Sequence, residues 1–331
     1  MKDIKRRDFV KASALMLAGT SMGAHFATAA GQREEGTYRI YFITDTHLEN
    51  ESSAVHTVRL NSLKHFVSAV NKDRNCDLAF HLGDLCQTGN YEGIVDGARL
   101  WGGIRGLNYV DATDDADYPW YAIGNHEVNT KDPDEFAHKF SQTKTSEGGS
   151  VWNGQFTYDR YDYKLHFVMM DCLYDANNER SERTDGLHEE TVSWLQNILQ
   201  TTDANMVVLM SHAMPHFHSA HSSYYWGRSA QGDEIVNIVE DAIGSNENLE
   251  KVAWFAGHWH GVPWDGVREY TNLGEHLVGY RIPPAQDATS RRGAEGVYSV
   301  VEINPEGEIS TESFVTPAEY QRAGASSIIV R

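Results

Sequence analysis

Apolar residues along this 331-residue chain gather in short runs, each closed by a polar cluster and separated from the next by stretches of helical periodicity. Tyr38 to Ile43 reads as a buried strand ending at Thr44-Asp45, and Asp77 to Leu82 as a second strand stopped by Gly83-Asp84. Between them Val55, Leu60, Leu63, Phe66, Val67 and Val70 recur at the spacing of one helix face, which predicts a helix over about 52–71. Residues 88–117 are rich in Gly and Asp and predict loop with a helix near 94–100, followed by a third short strand over Tyr118 to Ile123. The polar, Gly/Ser-rich stretch from Thr143 to Gly154 predicts a loop. Phe156 to Tyr158 and Leu165 to Met170 predict two strands joined by a turn near Asp162, and Val192, Leu195, Ile198 and Leu199 mark an amphipathic helix. Met206 to Met210 predicts a strand that delivers Ser211-His212. Ile235, Val236, Ile238 and Val239 predict a helix, Val252 to Ala256 a strand, and the chain from Val267 onward is strand-rich, with a hairpin at Asn304-Pro305-Glu306-Gly307. This alternation, with its strand-rich tail, points to one α/β domain built around two sheets.

The N-terminus departs from that pattern. Arg6-Arg7-Asp8-Phe9-Val10-Lys11 precedes a mildly apolar stretch, Ala12 to Phe26, and then the small residues Ala27-Thr28-Ala29-Ala30. This resembles a twin-arginine export signal, with a disordered basic arm as the alternative. The resemblance implies a signal over 1–30, a single domain over 31–331, a partner in the export machinery, and a periplasmic or extracellular destination. Gly19, Gly23 and His25 make the stretch weak as a membrane span, and no later segment has about 18 continuous apolar residues, so no stable membrane insertion is expected.

Charge narrows the partners. Residues 1–30 carry five basic and two acidic side chains, leaving 23 basic and 45 acidic in the rest, a formal charge of −22. That field repels nucleic acid and anionic membranes, and no nucleic-acid partner is expected. Cys76, Cys86 and Cys172 form an odd set outside any C-x-x-C spacing, which predicts small buried residues. A Cys76–Cys86 disulfide stays open if the chain reaches an oxidising compartment.

The polar clusters that close the apolar runs carry the chemistry. They are Asp45-Thr46-His47, Gly83-Asp84, Gly124-Asn125-His126-Glu127, His212, and Gly257-His258-Trp259-His260. Carboxylates, an amide and several imidazoles in that number suit two metal ions rather than one. Asp45 with His47, and His258 with His260, are i, i+2 pairs that an extended strand end would place on one side. Asp84 suits a bridge, since each carboxylate oxygen can reach a different cation. Two divalent ions against Asp45, Asp84 and a hydroxide leave a locally positive site inside an acidic protein, which favours an anionic substrate.

The ordered set D-x-H, G-D, G-N-H-E, H and G-H-x-H, spanning residues 45 to 260, resembles the calcineurin-like metallophosphoesterase superfamily. The resemblance implies a four-layer αββα sandwich with two mixed β-sheets and the site at strand C-termini. It implies one metal on Asp45, His47, Asp84 and His260, and a second on Asp84, Asn125, His212 and His258. His126 would contact substrate and act in acid–base catalysis. The implied activity is hydrolysis of phosphate monoesters or small diesters by a hydroxide held between two transition-metal ions, Mn, Fe or Zn, with a small phosphoester as substrate. Cyclic-nucleotide or lipid-headgroup diesters are an alternative within the class, and a metal-binding scaffold without catalysis is one outside it. Purple acid phosphatases carry a metal-binding Tyr three residues after the bridging Asp. Here that position is Gln87, so no tyrosinate–iron pairing is expected.

His216, His218 and His221, with Tyr224, Tyr225 and Trp226, either line a substrate mouth or form a polar loop. Asp171 ends a strand and either faces the site or caps the next turn. Glu127 carries no inference about substrate. His56, His65, His81, His138, His166, His188 and His276 lack metal-like neighbours in sequence and read as structural or surface residues.

Overall fold

The computed structural model describes residues 34–49, 54–87, 120–128, 148–181, 186–214, 229–258, 267–270, 273–285 and 297–315. The chain separates into two units, Met1–Glu35 and Gly36–Arg331, and the architecture below belongs to the second. In chain order its elements are β1 (Tyr38–Ile43), α1 (Ala54–Lys72), β2 (Leu78–His81), the single turn α2 (Asn125–Val128), β3 (Gly154–Tyr158) and β4 (Leu165–Met169). They continue with α3 (Glu189–Thr201), β5 (Met206–Ser211), α4 (Ser229–Ser245), β6 (Lys251–Ala256), β7 (Arg268–Tyr270), β8 (Leu277–Arg281), β9 (Val297–Ile303) and β10 (Ile309–Val315).

Two mixed sheets result. One runs β10-β9-β1-β2, the other β3-β4-β5-β6-β8-β7. β1 and β2 are parallel, as are β4, β5, β6 and β8, so their C-terminal ends gather on one edge of each sheet. Side-chain alternation builds the layers. On β1, Tyr38, Ile40 and Phe42 share one core cluster with Met206, Val208 and Met210 of β5 and Phe255 of β6. Phe42 stacks on Phe255 at 4.8 Å and Phe80 on Phe167 at 5.3 Å, which closes the space between the sheets. The opposite faces meet helices. Leu63, Phe66, Val67 and Val70 of α1 pack with Tyr41, Ile43 and Val300, while Leu195, Ile198 and Leu199 of α3 and Ile235 and Val239 of α4 join Val207, Leu209 and Trp254. Helix, sheet, sheet, helix: the four-layer α/β sandwich expected from sequence is the fold. Each such fully buried Phe or Leu contributes about 1.5–3 kcal/mol.

The strand and helix expectations hold with small shifts of boundary. The predicted hairpin joins β9 to β10, with Gly307 N–H donating to Asn304 O at 2.9 Å. Asp171 accepts from Leu173 N–H at 3.1 Å and pairs with Arg180 at 3.0 Å, the turn-capping alternative. Three expectations need correction. The third strand shrinks to one parallel bridge between Tyr121 and His81, because the chain turns into α2 only four residues later. Cys86 and Cys172 are buried as expected, but Cys76 is only half-buried, and all three are free, which closes the disulfide alternative. Cys76 precedes β2 and Cys86 follows it, and four strand residues at about 3.3 Å each carry them past the roughly 7 Å that a disulfide can span. Asp45, His47 and His258 follow their strands as expected but are left-handed rather than extended, as described below. The helix expected near 94–100, residues 215–228 with their three histidines, residues 1–30 and His260 lie outside the described residues. Among the described residues, no helix is long and apolar enough to cross a membrane.

Candidate metal centre

Both sheets deliver side chains to the same place. Asp45 and His47 follow β1, Asp84 follows β2, Asn125 opens α2, His212 follows β5 and His258 follows β6. Backbone hydrogen bonds tie these exits together: Asp45 N–H to Gly83 O at 2.9 Å, His47 N–H to Asp84 O at 2.9 Å, and Gly257 N–H to His212 O at 2.9 Å.

Alternation along an extended strand is not what brings the pairs into register. Asp45, His47, Asp84 and His258 all have φ between +44° and +67°, and Asn178 is the only other non-glycine with positive φ among the described residues. Left-handed conformations cost such residues of order 1–3 kcal/mol each, and they concentrate at this site because its surroundings over-determine them. Two glycines make the approach possible. A Cβ on Gly124 would run into the Asp84 carboxylate and backbone N, and one on Gly257 would run into Thr44 Oγ1.

Asp84 sits at the centre. Its Oδ2 lies 3.2 Å from His212 Nε2, 3.5 Å from His47 Nε2 and 3.8 Å from His126 Nε2. Two groups could hold a cation: His47, Asp84 and His126 on one side, and Asp84, His212 and His258 on the other. Asp45 Oδ1 is 3.7 Å from His47 Nε2, while its Oδ2 accepts from Thr44 Oγ1 at 2.7 Å and from His258 N–H at 2.9 Å. Asn125 Oδ1 is 3.2 Å and His258 Nδ1 3.1 Å from His212 Nε2. The structure thus brings together six of the seven ligands expected from sequence, with His126 beside them. His126 differs in exposure, 23% against 2% or less for the side chains of His47, Asp84 and His212, and its ring meets His47 edge-on at 4.4 Å.

The donor chemistry fits a cation. His212 Nδ1 is 2.7 Å from Leu82 O, which can only accept, so Nδ1 carries the ring proton of a neutral imidazole. Its Nε2 then points a lone pair at the Asp84 oxygen, the Asn125 oxygen and the His258 nitrogen. Converging lone pairs in a buried site demand a positive charge. Without a metal, a proton serves. Burial alone would lower the His212 pKa, but the Asp84 carboxylate outweighs it and pushes it up to about 9. Burial would raise the Asp84 carboxyl, yet His212, His47 and His126 hold it well below the usual carboxylate range.

Sequence reasoning missed the residues that support this set. Glu127 is buried, with Oε2 accepting from Asp84 N–H at 3.0 Å and Gly124 N–H at 2.8 Å, and Oε1 accepting from Cys86 N–H at 3.0 Å. It welds the Asp84 loop to the Asn125 turn, and Asp84 Oδ1 returns a bond to His126 N–H at 3.0 Å. Burial, then the Asp84 charge, push its carboxyl up. The signal was present in sequence: Glu127 stands three residues after Gly124, the spacing at which a helix N3 carboxylate reaches back to the N-cap N–H. His81 accepts from Gly83 N–H at 3.2 Å and meets Thr46 Oγ1 at 3.2 Å, and burial pushes its pKa down to about 3. It is a neutral brace under two ligand loops rather than a residue apart from the site. Arg59 of α1 donates to His47 O at 2.7 Å and to Glu49 at 2.6 Å. No local pattern announces either contact.

A family model described as calcineurin-like phosphoesterase matches residues 38–262, well over half of the chain. Among solved structures, the NAD nucleotidase NadN of Haemophilus influenzae aligns at 17% identity and TM-score 0.39, covering 85% of this chain and 55% of that one. This chain therefore spans about half the length of NadN. A protein of Aquifex aeolicus aligns at 14% identity and TM-score 0.26, covering 56% of this chain and 82% of its own. No curated protein matches the chain.

Proposed function

We propose, from the premise that this chain belongs to the calcineurin-like phosphoesterase family, a dinuclear hydrolase of phosphate monoesters or small diesters that works after export from the cytoplasm. The membership itself makes it a metal-dependent phosphoesterase. The observation that carries the finer reading is Asp84 Oδ2, shared at 3.2 Å and 3.5 Å by imidazoles from opposite sheets. One carboxylate between two ligand groups is the arrangement a metal pair needs.

In this reading Asp45, His47, Asp84 and His260 hold one cation, and Asp84, Asn125, His212 and His258 the other, with Mn, Fe and Zn all compatible with such ligands. Bound there, the ions would supply Lewis acidity toward water and phosphoryl oxygens. The chain's own residues do the rest. Asp84, held ionised, keeps both ligand groups in reach of one substrate phosphate. His126, a partly exposed imidazole of the set, stands where it can donate a proton to the leaving oxygen. Glu127 and His81 hold the ligand loops in their left-handed conformations against thermal disorder. The strongly acidic remainder of the protein disfavours polyanionic partners such as nucleic acid. Export rests on the Arg6-Arg7 pair and the small-residue stretch ending at Ala30.

The deciding experiment is hydrolysis of p-nitrophenyl phosphate and bis-p-nitrophenyl phosphate by metal-stripped protein resupplied with Mn²⁺, Fe²⁺ or Zn²⁺. Turnover that needs two equivalents of metal is expected. No turnover with any metal across pH would leave a scaffold, and full activity at one equivalent would remove the dinuclear reading. Cell fractionation of the full chain should find the activity outside the cytoplasm; activity confined to the cytosol rejects export.

A further inference from the structure

Gln87 lies three residues beyond Asp84, and its Oε1 sits 3.0 Å from His47 Nδ1. With that oxygen as acceptor, Nδ1 carries a proton, and in the neutral ring Nε2 carries the lone pair. That lone pair faces Asp45 Oδ1 at 3.7 Å and Asp84 Oδ2 at 3.5 Å. We propose that Gln87 is a positioning residue for metal binding, setting the tautomer and ring orientation of His47 so that Nε2 addresses a cation beside Asp45 and Asp84. The inference rests on the dinuclear reading above and extends it to a residue that touches neither metal nor substrate.

The backbone brings the pair together. His47 N–H donates to Asp84 O at 2.9 Å, Leu48 N–H to Leu85 O at 2.8 Å, and Gln87 N–H to Leu48 O at 2.8 Å. This short parallel ladder runs the chain after Asp84 alongside the chain after Asp45, with Leu48 and Cys86 as bridge partners. Gln87 therefore reaches His47 from the loop that also supplies Asp84. The corresponding role for His212 is filled by the Leu82 carbonyl, which no substitution removes. Unlike His212, His47 takes its orientation from a side chain that a single substitution can change. Outer partners of metal-binding histidines commonly govern affinity by about 10–100-fold. His47 also packs edge-on against His126 at 4.4 Å, so a freed ring would disturb the acid–base candidate as well.

The test uses the full chain with Mn²⁺ as the probe and compares wild type, Gln87→Leu and Gln87→Glu. Gln87 is only half-buried, and both variants should melt with wild-type metal-free protein. Chelator competition should show Gln87→Leu losing about 10–100-fold in affinity for one Mn²⁺ equivalent while the other stays unchanged. Its kcat should return at saturating Mn²⁺, and ¹⁵N NMR of the metal-free protein should show His47 sampling both tautomers. Gln87→Glu, which restores an acceptor, should bind at least as tightly as wild type. Wild-type affinity at both equivalents in Gln87→Leu overturns the proposal, as does an equal loss in Gln87→Glu or a lowered metal-free melting point that accounts for the loss. A wild type that retains a single Mn²⁺ equivalent with the His47 tautomer still dependent on Gln87 would instead strike the dinuclear reading, so the two failures are separable.

Discussion

The two halves of the candidate metal centre hold their imidazoles by different means. In the His212 half the orienting partner is the Leu82 carbonyl, delivered by the sheet edge, and the ring is fully buried. In the His47 half the orienting partner is the Gln87 side chain, and the neighbouring His126 stays 23% exposed. Backbone orientation makes the first half rigid and insensitive to sequence. Side-chain orientation leaves the second half open to tuning by a single substitution. Asp84 joins the two, and Glu127 holds Asp84 in place through its backbone N–H.

Three changes would break or sharpen that contrast. Asp84→Asn strikes both halves at once. It should remove at least one metal and lower kcat/KM by at least about 10⁴-fold, two losses of several kcal/mol each. Metal analysis beside a p-nitrophenyl phosphate assay checks it, and retention of both ions with full activity would refute the shared carboxylate. His126→Asn touches only the exposed side. Both metals should remain while kcat falls roughly 10²–10⁴-fold for poor leaving groups and less for p-nitrophenol. Loss of metal in this variant would reassign His126 as a ligand of the His47 half.

The smallest effect is a pH dependence confined to the His212 half. With its folded pKa raised from 6.5 to about 9, His212 keeps its proton in the metal-free protein at neutral pH. The stabilisation from its pairing with Asp84 is complete below about 6.5 and fades as pH rises through about 9. A metal must displace that proton, so affinity at this half should rise with pH, by up to about tenfold per unit, and level off above about 9. His81, pushed down to about 3, stays neutral throughout and adds no slope. Calorimetric Mn²⁺ titrations in buffers of different ionisation enthalpy would count the released proton, and a pH-independent affinity would contradict the assignment.

Much of this site could be read from sequence because each ligand follows an apolar run or a glycine. Met206 to Met210 announced a buried strand, and His212 had to emerge at its end. The alternation of strands and helices gave one α/β domain around two sheets, and its four layers were what the family resemblance implied. The ligands' own conformations were not legible. Asp45 and His47 were expected to align by strand alternation, yet both take left-handed φ, because their geometry answers to Gly83 O, Asp84 O and the opposite sheet rather than to β1. Glu127 was visible through its spacing from Gly124. Gln87, His81 and Arg59 were not, since each acts on a residue whose proximity depends on how two loops run side by side.

The amino-acid pattern alone was enough for the strands and helices, for one α/β domain around two sheets, for the candidate metal-ligating side chains and for the acidity of the whole. The elements follow from local periodicity and the candidate ligands from residue chemistry, while the four layers and the role of each ligand are what the family resemblance implied. Only the tertiary structure decided that Asp84 stands between two imidazole groups, that four ligands are held at positive φ, and that His47 takes its orientation from Gln87 while His212 takes its own from Leu82. Each of those depends on atoms from separate strand exits meeting within hydrogen-bond distance, and such distances are set by the packing of both sheets together.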